Sequence, residues 1–228
     1  MFTKLALEII ISVKQGGPNP DGNARLRLAI QKARDNNMPL DNIDRAIKRA
    51  SGTGEGAALQ EIGLEGYGPG GVAVVAEVVT DNRNRTVQEV RNAFSRGGGN
   101  LAESGAVAWM FDNRGCITIQ AEKGKEDDIA LQAIDAGAED VKTEKGFLEV
   151  YTRPQDMESM RKALEQKGVS ISSAEVMKVP KTTVDLDDET AVKALRLLDR
   201  LEELDDVQRV FSNVDFSEAV LEKLHAKA

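Results

Sequence analysis

A single cysteine and a single histidine among 228 residues remove several chemistries at once. Cys116 has no thiol to pair with in an intrachain disulfide or a cysteine-based zinc cluster, which fits a reducing cytoplasm. It reads as a small buried apolar residue. His225 lies three residues from the end in a lysine-flanked tail, so neither a catalytic triad nor a histidine-ligated metal centre can be assembled around it. No stretch approaches the roughly 20 consecutive apolar residues of a membrane-spanning helix. The run Ile9, Ile10, Ile11 is broken by Ser12 and Lys14, and the opening MFTKLALEIIISVKQGG contains Glu8 and no small-residue cleavage site, so it reads as a helix rather than a leader. No GxxxxGK[ST] phosphate loop occurs. The dinucleotide-like string Gly66-x-Gly68-x-x-Gly71 is followed by a strand where nucleotide binding demands a helix, and Pro69-Gly70 makes it a hairpin turn.

Positive charge is also in deficit, with 30 Lys+Arg against 38 Asp+Glu and a net charge of −8. A uniformly basic surface is excluded, so any contact with nucleic acid must come from local segregation of charge. Residues 1–60 hold nine cations against six acids, a net of +3, whereas 61–112 and 113–180 each carry −3 and 181–228 carries −5. Only the first segment is basic.

What is present is an ordinary globular composition, 41% hydrophobic and 30% charged, long enough for two or three small domains. Phe2, Leu5, Ile9 and Val13 fall at helical spacing and stop at Gly16-Gly17-Pro18. Leu26, Ile30 and Ala33 mark a second helix ending near Asn36-Asn37, and Asp41 is placed to cap a third containing Ile43, Ala46 and Ile47. SGTGEGAA at 51–58 reads as a linker. From Glu61 the pattern becomes strand (61–67), turn, valine-rich strand (72–80), helix (86–95), glycine stop, and a further strand over AVAWMF at 106–111. The segment 113–180 then runs strand, helix, strand, strand, helix, strand, the split βαβ order of a ferredoxin-like layer. A helix at 188–204 and a strand at 207–214 complete the earlier unit. The expected fold class is α+β in three domains: a helical domain with its linker at 1–60, a discontinuous α/β domain at 61–112 plus 181–228, and an inserted ferredoxin-like βαββαβ domain at 113–180.

Two clusters of cations are candidates for phosphate contacts. Arg25, Arg27, Lys32 and Arg34 fall on the second helix, and Arg45, Lys48 and Arg49 on the third. Arg83 and Arg85 fall in a polar turn before the next helix, which also carries Arg91 and Arg96; an Arg/Asn loop at a helix N-terminus suits an anion. Exposed helix decoration accounts for both clusters equally well on composition alone. The acids Asp185, Asp187, Asp188 and Glu189 precede a helix, where carboxylates serve as caps more readily than as magnesium ligands. Trp109, alternating with Met110 and Phe111, reads as sheet core rather than a stacking platform.

The strings FTKL at 2–5, GGPNPDGNARLRLAIQKARDNNMPLDNIDRAIKR at 16–49, EGYGPGGVAV at 65–74, DNRNRTVQEVRNAFSRGGGNL at 81–101 and AGAEDV at 136–141 together resemble the YebC/PmpR family, whose mitochondrial relatives include the translational activator of cytochrome c oxidase subunit I. The resemblance runs over essentially the whole chain in order. It implies a three-domain cytoplasmic protein that regulates transcription by binding DNA, with no enzymatic activity, no cofactor and no small-molecule substrate. Other members act in translation, which makes the ribosome or its RNA the alternative partner. Members of the family usually carry about twenty further residues before FTKL, a basic segment, where this chain has Met1 alone, so the most cationic segment is expected to be missing.

Overall fold

Helical periodicity and valine-rich alternation are realised nearly element by element. In the computed structural model, residues 2–52, 59–122, 124–144 and 146–216 are described; most of the expected linker, residues 53–58, and His225 lie outside them. The elements are α1 (Phe2–Gly16), α2 (Ala24–Asp35), α3 (Leu40–Ser51), β1 (Gln60–Tyr67), β2 (Ala73–Thr80), α4 (Arg83–Arg96), β3 (Asn100–Leu101), β4 (Phe111–Gln120), α5 (Glu126–Asp135), β5 (Asp140–Glu144), β6 (Phe147–Thr152), α6 (Met157–Gln166), β7 (Ile171–Pro180), β8 (Val184–Asp185), α7 (Asp188–Glu202), β9 (Val207–Ser212) and β10 (Val214–Asp215). They form two compact units, one from the chain up to Trp109 and again from Thr182 onward, the other from Met110–Lys181.

In the first unit Leu5, Ile9, Ile10 and Val13 of α1 bury against Leu26, Ala29 and Ala33 of α2 and Ile43 and Ala46 of α3. The α1–α2 corner is held by Asn23, whose side chain accepts from the Leu26 amide at 3.0 Å and donates to the Ser12 and Gly17 carbonyls at 2.7 and 2.8 Å. That one side chain satisfies a helix-start donor and two helix-end acceptors. Asp41 is not the cap of α3: Pro39 holds that position, and Asp41 sits in the first turn, where its negative charge complements the positive end of the helix dipole.

The unit's sheet has the order β3-β1-β2-β9, with β2 antiparallel to both β1 and β9. Val74, Ala76 and Val78 pack with Val90, Ala93 and Phe94 of α4 and Ala194, Leu197 and Leu201 of α7. The alternate residues Ala73, Val75 and Val79 are buried as well, because α1 lies on β2 and β9. A strand covered on both faces reads as a continuous apolar run, which is why β2 is almost all Val and Ala. The helical layer is therefore docked on the sheet, inside the same compact unit. The β1–β2 connection is the expected hairpin turn, with Gly70 at φ +74° and the Gly68 amide donating to the Val72 carbonyl at 2.8 Å.

The second unit has the strand order β5-β6-β4-β7, every neighbouring pair antiparallel, with α5 and α6 on one face. This is the ferredoxin-like arrangement. Ile117, Ile119, Leu148 and Val150 point at Ala133, Met160 and Leu164. Cys116 is buried, opposite Tyr151 and Glu175 on the neighbouring strands. Burial, reinforced by the negative charges of Glu149 and Glu175, pushes its thiol up to about 12.

One expected strand is absent. Residues 106–107 are irregular and Ala108–Met110 form a 3-10 turn, so AVAWMF is a strand only at Phe111, where β4 begins. The cause is long-range: the buried carboxylate of Glu65 on β1 accepts from the amides of Gly105, Val107 and Ala108 at 2.7, 2.8 and 2.7 Å. Three charge-assisted bonds replace the ladder that a strand would need.

Candidate nucleic-acid interface

α4 begins one turn earlier than its apolar residues suggest, because Asn82 caps it and accepts from the Arg85 amide at 3.1 Å. Arg83 and Arg85 therefore lie in the first helical turn and not in a preceding loop. The two arginines differ in their surroundings. Arg85 donates to Asp81 at 3.0 Å and to Asp206 at 2.8 Å, joining α4 to the start of β9. Asp206 also accepts from the hydroxyls of Thr80 and Thr86 at 3.0 and 2.5 Å. Burial opposes the Asp206 charge, but the Thr86, Arg85 and Thr80 donors outweigh it and hold the carboxyl below its usual range. Arg85 is thus a tie within the unit. Arg83, Arg91 and Arg96 are exposed, and their side chains have no partner among the described residues.

The helical layer divides its cations the same way. Arg25 on α2 donates to both oxygens of Glu8 on α1 at 2.9 and 3.2 Å, to Gln15 at 2.6 Å, and to Glu61 on β1. Burial works against its charge, but bonds and attraction from Glu61 and Glu8 prevail and raise its pKa, while Glu61 is lowered in return. With its guanidinium engaged inside the chain, Arg25 locks helices to sheet. Arg27 braces the preceding turn through the Pro20 carbonyl at 3.0 Å, and Arg45 donates to Asn42 at 2.7 Å on its own helix. Both stay exposed, as does Lys32. Arg34, Lys48 and Arg49 are exposed with no side-chain partner among the described residues. Arg27 and Arg34, seven residues apart, share one flank of α2; Arg45, Lys48 and Arg49 share the outer face of α3.

Two features escape a reading of the sequence. Trp109 is not sheet core: it is 67% exposed, its indole N–H donating to the Ala106 carbonyl at 3.0 Å. The loop that carries it is the one fixed by Glu65. Unbroken apolar character hid this, and its cause, the Glu65 charge on β1, lies some forty residues away. The second feature is the row of amide side chains on α4, taken up below. Asp187, from the acidic run before α7, is that helix's cap, accepting from the Glu189 and Thr190 amides at 3.1 and 3.0 Å. No group of three metal-ligating side chains occurs among the described residues, and no helix there is long and apolar enough to cross a membrane.

Residues 1–53 match the model of the TACO1/YebC protein N-terminal domain, and residues 59–214 match that of the TACO1/YebC second and third domain. A probable transcriptional regulatory protein of Dehalococcoides mccartyi is 59% identical over 228 residues, covering 100% of this chain and 91% of that protein. One from Moorella thermoacetica is 55% identical over 227 residues, covering 98% and 90%. Among solved structures, a conserved hypothetical protein from Aquifex aeolicus superposes with a TM-score of 0.88 at 46% identity, covering 95% of this chain and 90% of that one. With a helical layer, a discontinuous sheet and a ferredoxin-like insert all falling inside these matches, the chain belongs to the TACO1/YebC family.

Proposed function

We propose that the chain is a non-enzymatic regulator of gene expression, acting in the cytoplasm by binding DNA through two outward sets of cations. One set is Arg27, Lys32, Arg34, Arg45, Lys48 and Arg49 on α2 and α3; the other is Arg83, Arg91 and Arg96 on α4. Arg25 and Arg85 support the fold beneath them. The observation that carries the proposal is that Arg34, Lys48, Arg49, Arg83, Arg91 and Arg96 are exposed without intrachain partners among the described residues. On α6, by contrast, Arg161 is neutralised by Glu158 and Glu165. The regulatory names of the relatives point the same way. Groups with catalytic potential are committed to structure: Glu65 to three amides, Asp206 to two threonines and an arginine, and Cys116 to its protonated form.

The test is a salt titration of binding to duplex DNA and to structured RNA. Log affinity falls against log salt by about 0.9 per duplex phosphate neutralised, so the slope counts engaged cations. With few such cations the slope should be shallow, and Arg34→Glu, Lys48→Glu and Arg49→Glu together should flatten it further. An unchanged slope and affinity in that variant would remove the helical layer from the interface. Tighter binding to the RNA, lost in the same variant, would move the partner to the ribosome.

A further inference from the structure

α4 has two unlike faces. Thr86, Val90, Ala93 and Phe94 are buried beneath it. On the opposite side Asn84, Gln88, Arg91, Asn92 and Ser95 are all exposed, and none has a side-chain partner among the described residues. Their spacing, i, i+4, i+7, i+8 and i+11, aligns them along one stripe about 16 Å long. Between Asn84 and Ser95 the only acid is Glu89.

This is an unusual surface for the molecule. α6 covers its outer face with ion pairs, Arg161 with Glu158 and Glu165 and Lys162 with Glu158, and α7 pairs Lys193 with Glu189. Such pairs at i, i+3 and i, i+4 support a helix. Asn and Ser do the reverse: their side chains compete for the backbone and lower helix propensity. Along this stripe α4 thus forgoes the stabilisation that α6 and α7 use and presents amides, a hydroxyl and a guanidinium instead. These are the groups that read base edges. Asn and Gln pair in bidentate fashion with adenine N6 and N7, Arg with guanine O6 and N7, and Ser with either donor or acceptor.

The geometry points to α4 as a base-reading helix that lies with this stripe in the major groove of B-form DNA; the inference rests on the DNA-binding function proposed above. Arg83 and Arg96, at the two ends of the helix, are placed for the flanking phosphates. The groove, about 12 Å wide, admits a helix. The deep, narrow major groove of A-form RNA does not, and single-stranded RNA is held by aromatic stacking. The one aromatic of α4, Phe94, is fully buried. The occupant is therefore duplex DNA. The stripe's length spans about five base-pair steps at 3.4 Å each.

The experiment uses the full chain. A selection from randomised DNA duplexes should enrich a short motif, and competition at fixed salt should then give a preference for that motif over random duplex of at least about 100-fold. A variant carrying Asn84→Ala, Gln88→Ala and Asn92→Ala should bring this ratio to within a few-fold of one, with an unchanged salt slope and a melting temperature no lower than the parent's. Rescue by Asn84→Gln and Asn92→Gln, which keep the amide, should restore part of the ratio. A-form RNA duplex and single-stranded RNA of the same sequence serve as separate arms. Sequence preference surviving in the alanine variant overturns the assignment of α4, as does selective binding in either RNA arm. DNA binding with no enriched motif overturns base reading while leaving phosphate contact intact. Absence of binding to any nucleic acid overturns the underlying function itself.

Discussion

The carboxylate of Asp206 is 13% exposed and accepts from Arg85, Thr80 and Thr86, which belong to α4 and β2. Replacing it by alanine takes a charged acceptor from Arg85, Thr80 and Thr86 and leaves the two threonines only each other and the Asn82 carbonyl, so Asp206→Ala should destabilise the protein by about 2 kcal/mol in chemical denaturation. Arg83→Ala, two positions from Arg85 and without a partner among the described residues, should leave the denaturation midpoint where it is. The Asp206 pKa is lower in the folded protein than in the unfolded chain, where carboxyls titrate near about 4. Its stabilisation is therefore complete above that unfolded value and is lost as pH falls toward the depressed folded one. The difference between parent and Asp206→Ala should narrow on acidification, and a constant difference down to acid pH would contradict the assigned bonds. Sequence distinguishes these residues poorly. Arg83, Arg85 and Arg25 look alike along the chain, and only the distant Asp206, Glu8 and Glu61 separate ties from free cations.

At the level of elements, α1, α2 and the β1–β2 hairpin are legible because periodicity and turn residues are local properties. The region after α4 is not, since what shapes residues 102–108 is a carboxylate some forty positions earlier on β1. The amide stripe on α4 is illegible for another reason: charge marks Arg91 and Arg96 but not Asn84, Gln88 and Asn92. β1 and α4 also meet at a point with no spare volume. A Cβ on Gly66 would lie 2.6 Å from both the Phe94 ring and the Asn100 carbonyl, neither of which can give way, the ring being buried and the carbonyl backbone. Gly66→Ala should therefore lower stability by about 1–3 kcal/mol through overpacking, read as a shifted denaturation midpoint with unchanged slope. A neutral outcome would mean that α4 is less tightly seated on the sheet than its contacts indicate.

For the whole molecule, the expected boundaries of the insert, 113–180, lie within three residues of the unit Met110–Lys181. The split βαβ order made the ferredoxin-like fold of that stretch legible, because a closed set of four strands and two helices is self-sufficient. Expressed alone, Met110–Lys181 should unfold cooperatively with heat and give dispersed amide resonances; a broad, non-cooperative transition would show that it depends on the rest of the chain. The docking of the helical layer was not visible in this way. It depends on Arg25 bridging three elements and on α1 covering the second face of β2, and the Val/Ala run of β2, broken only by Glu77, was its trace.

The insertion also bears on how the protein is made. β2 ends at Thr80, yet its partner β9 begins at Val207, and α7, which covers the same sheet, is likewise encoded beyond the insert. At a synthesis rate of roughly 5–20 residues per second, β9 is synthesised about 6–25 seconds after β2. During that interval a valine-rich strand has an open edge and lacks the cover of α7, while the ferredoxin-like unit behind it can already close. The nascent chain therefore carries β2 incompletely covered for about half of translation, and the segments that can cover its faces in the meantime are α1, synthesised before it, and α4, synthesised directly after it.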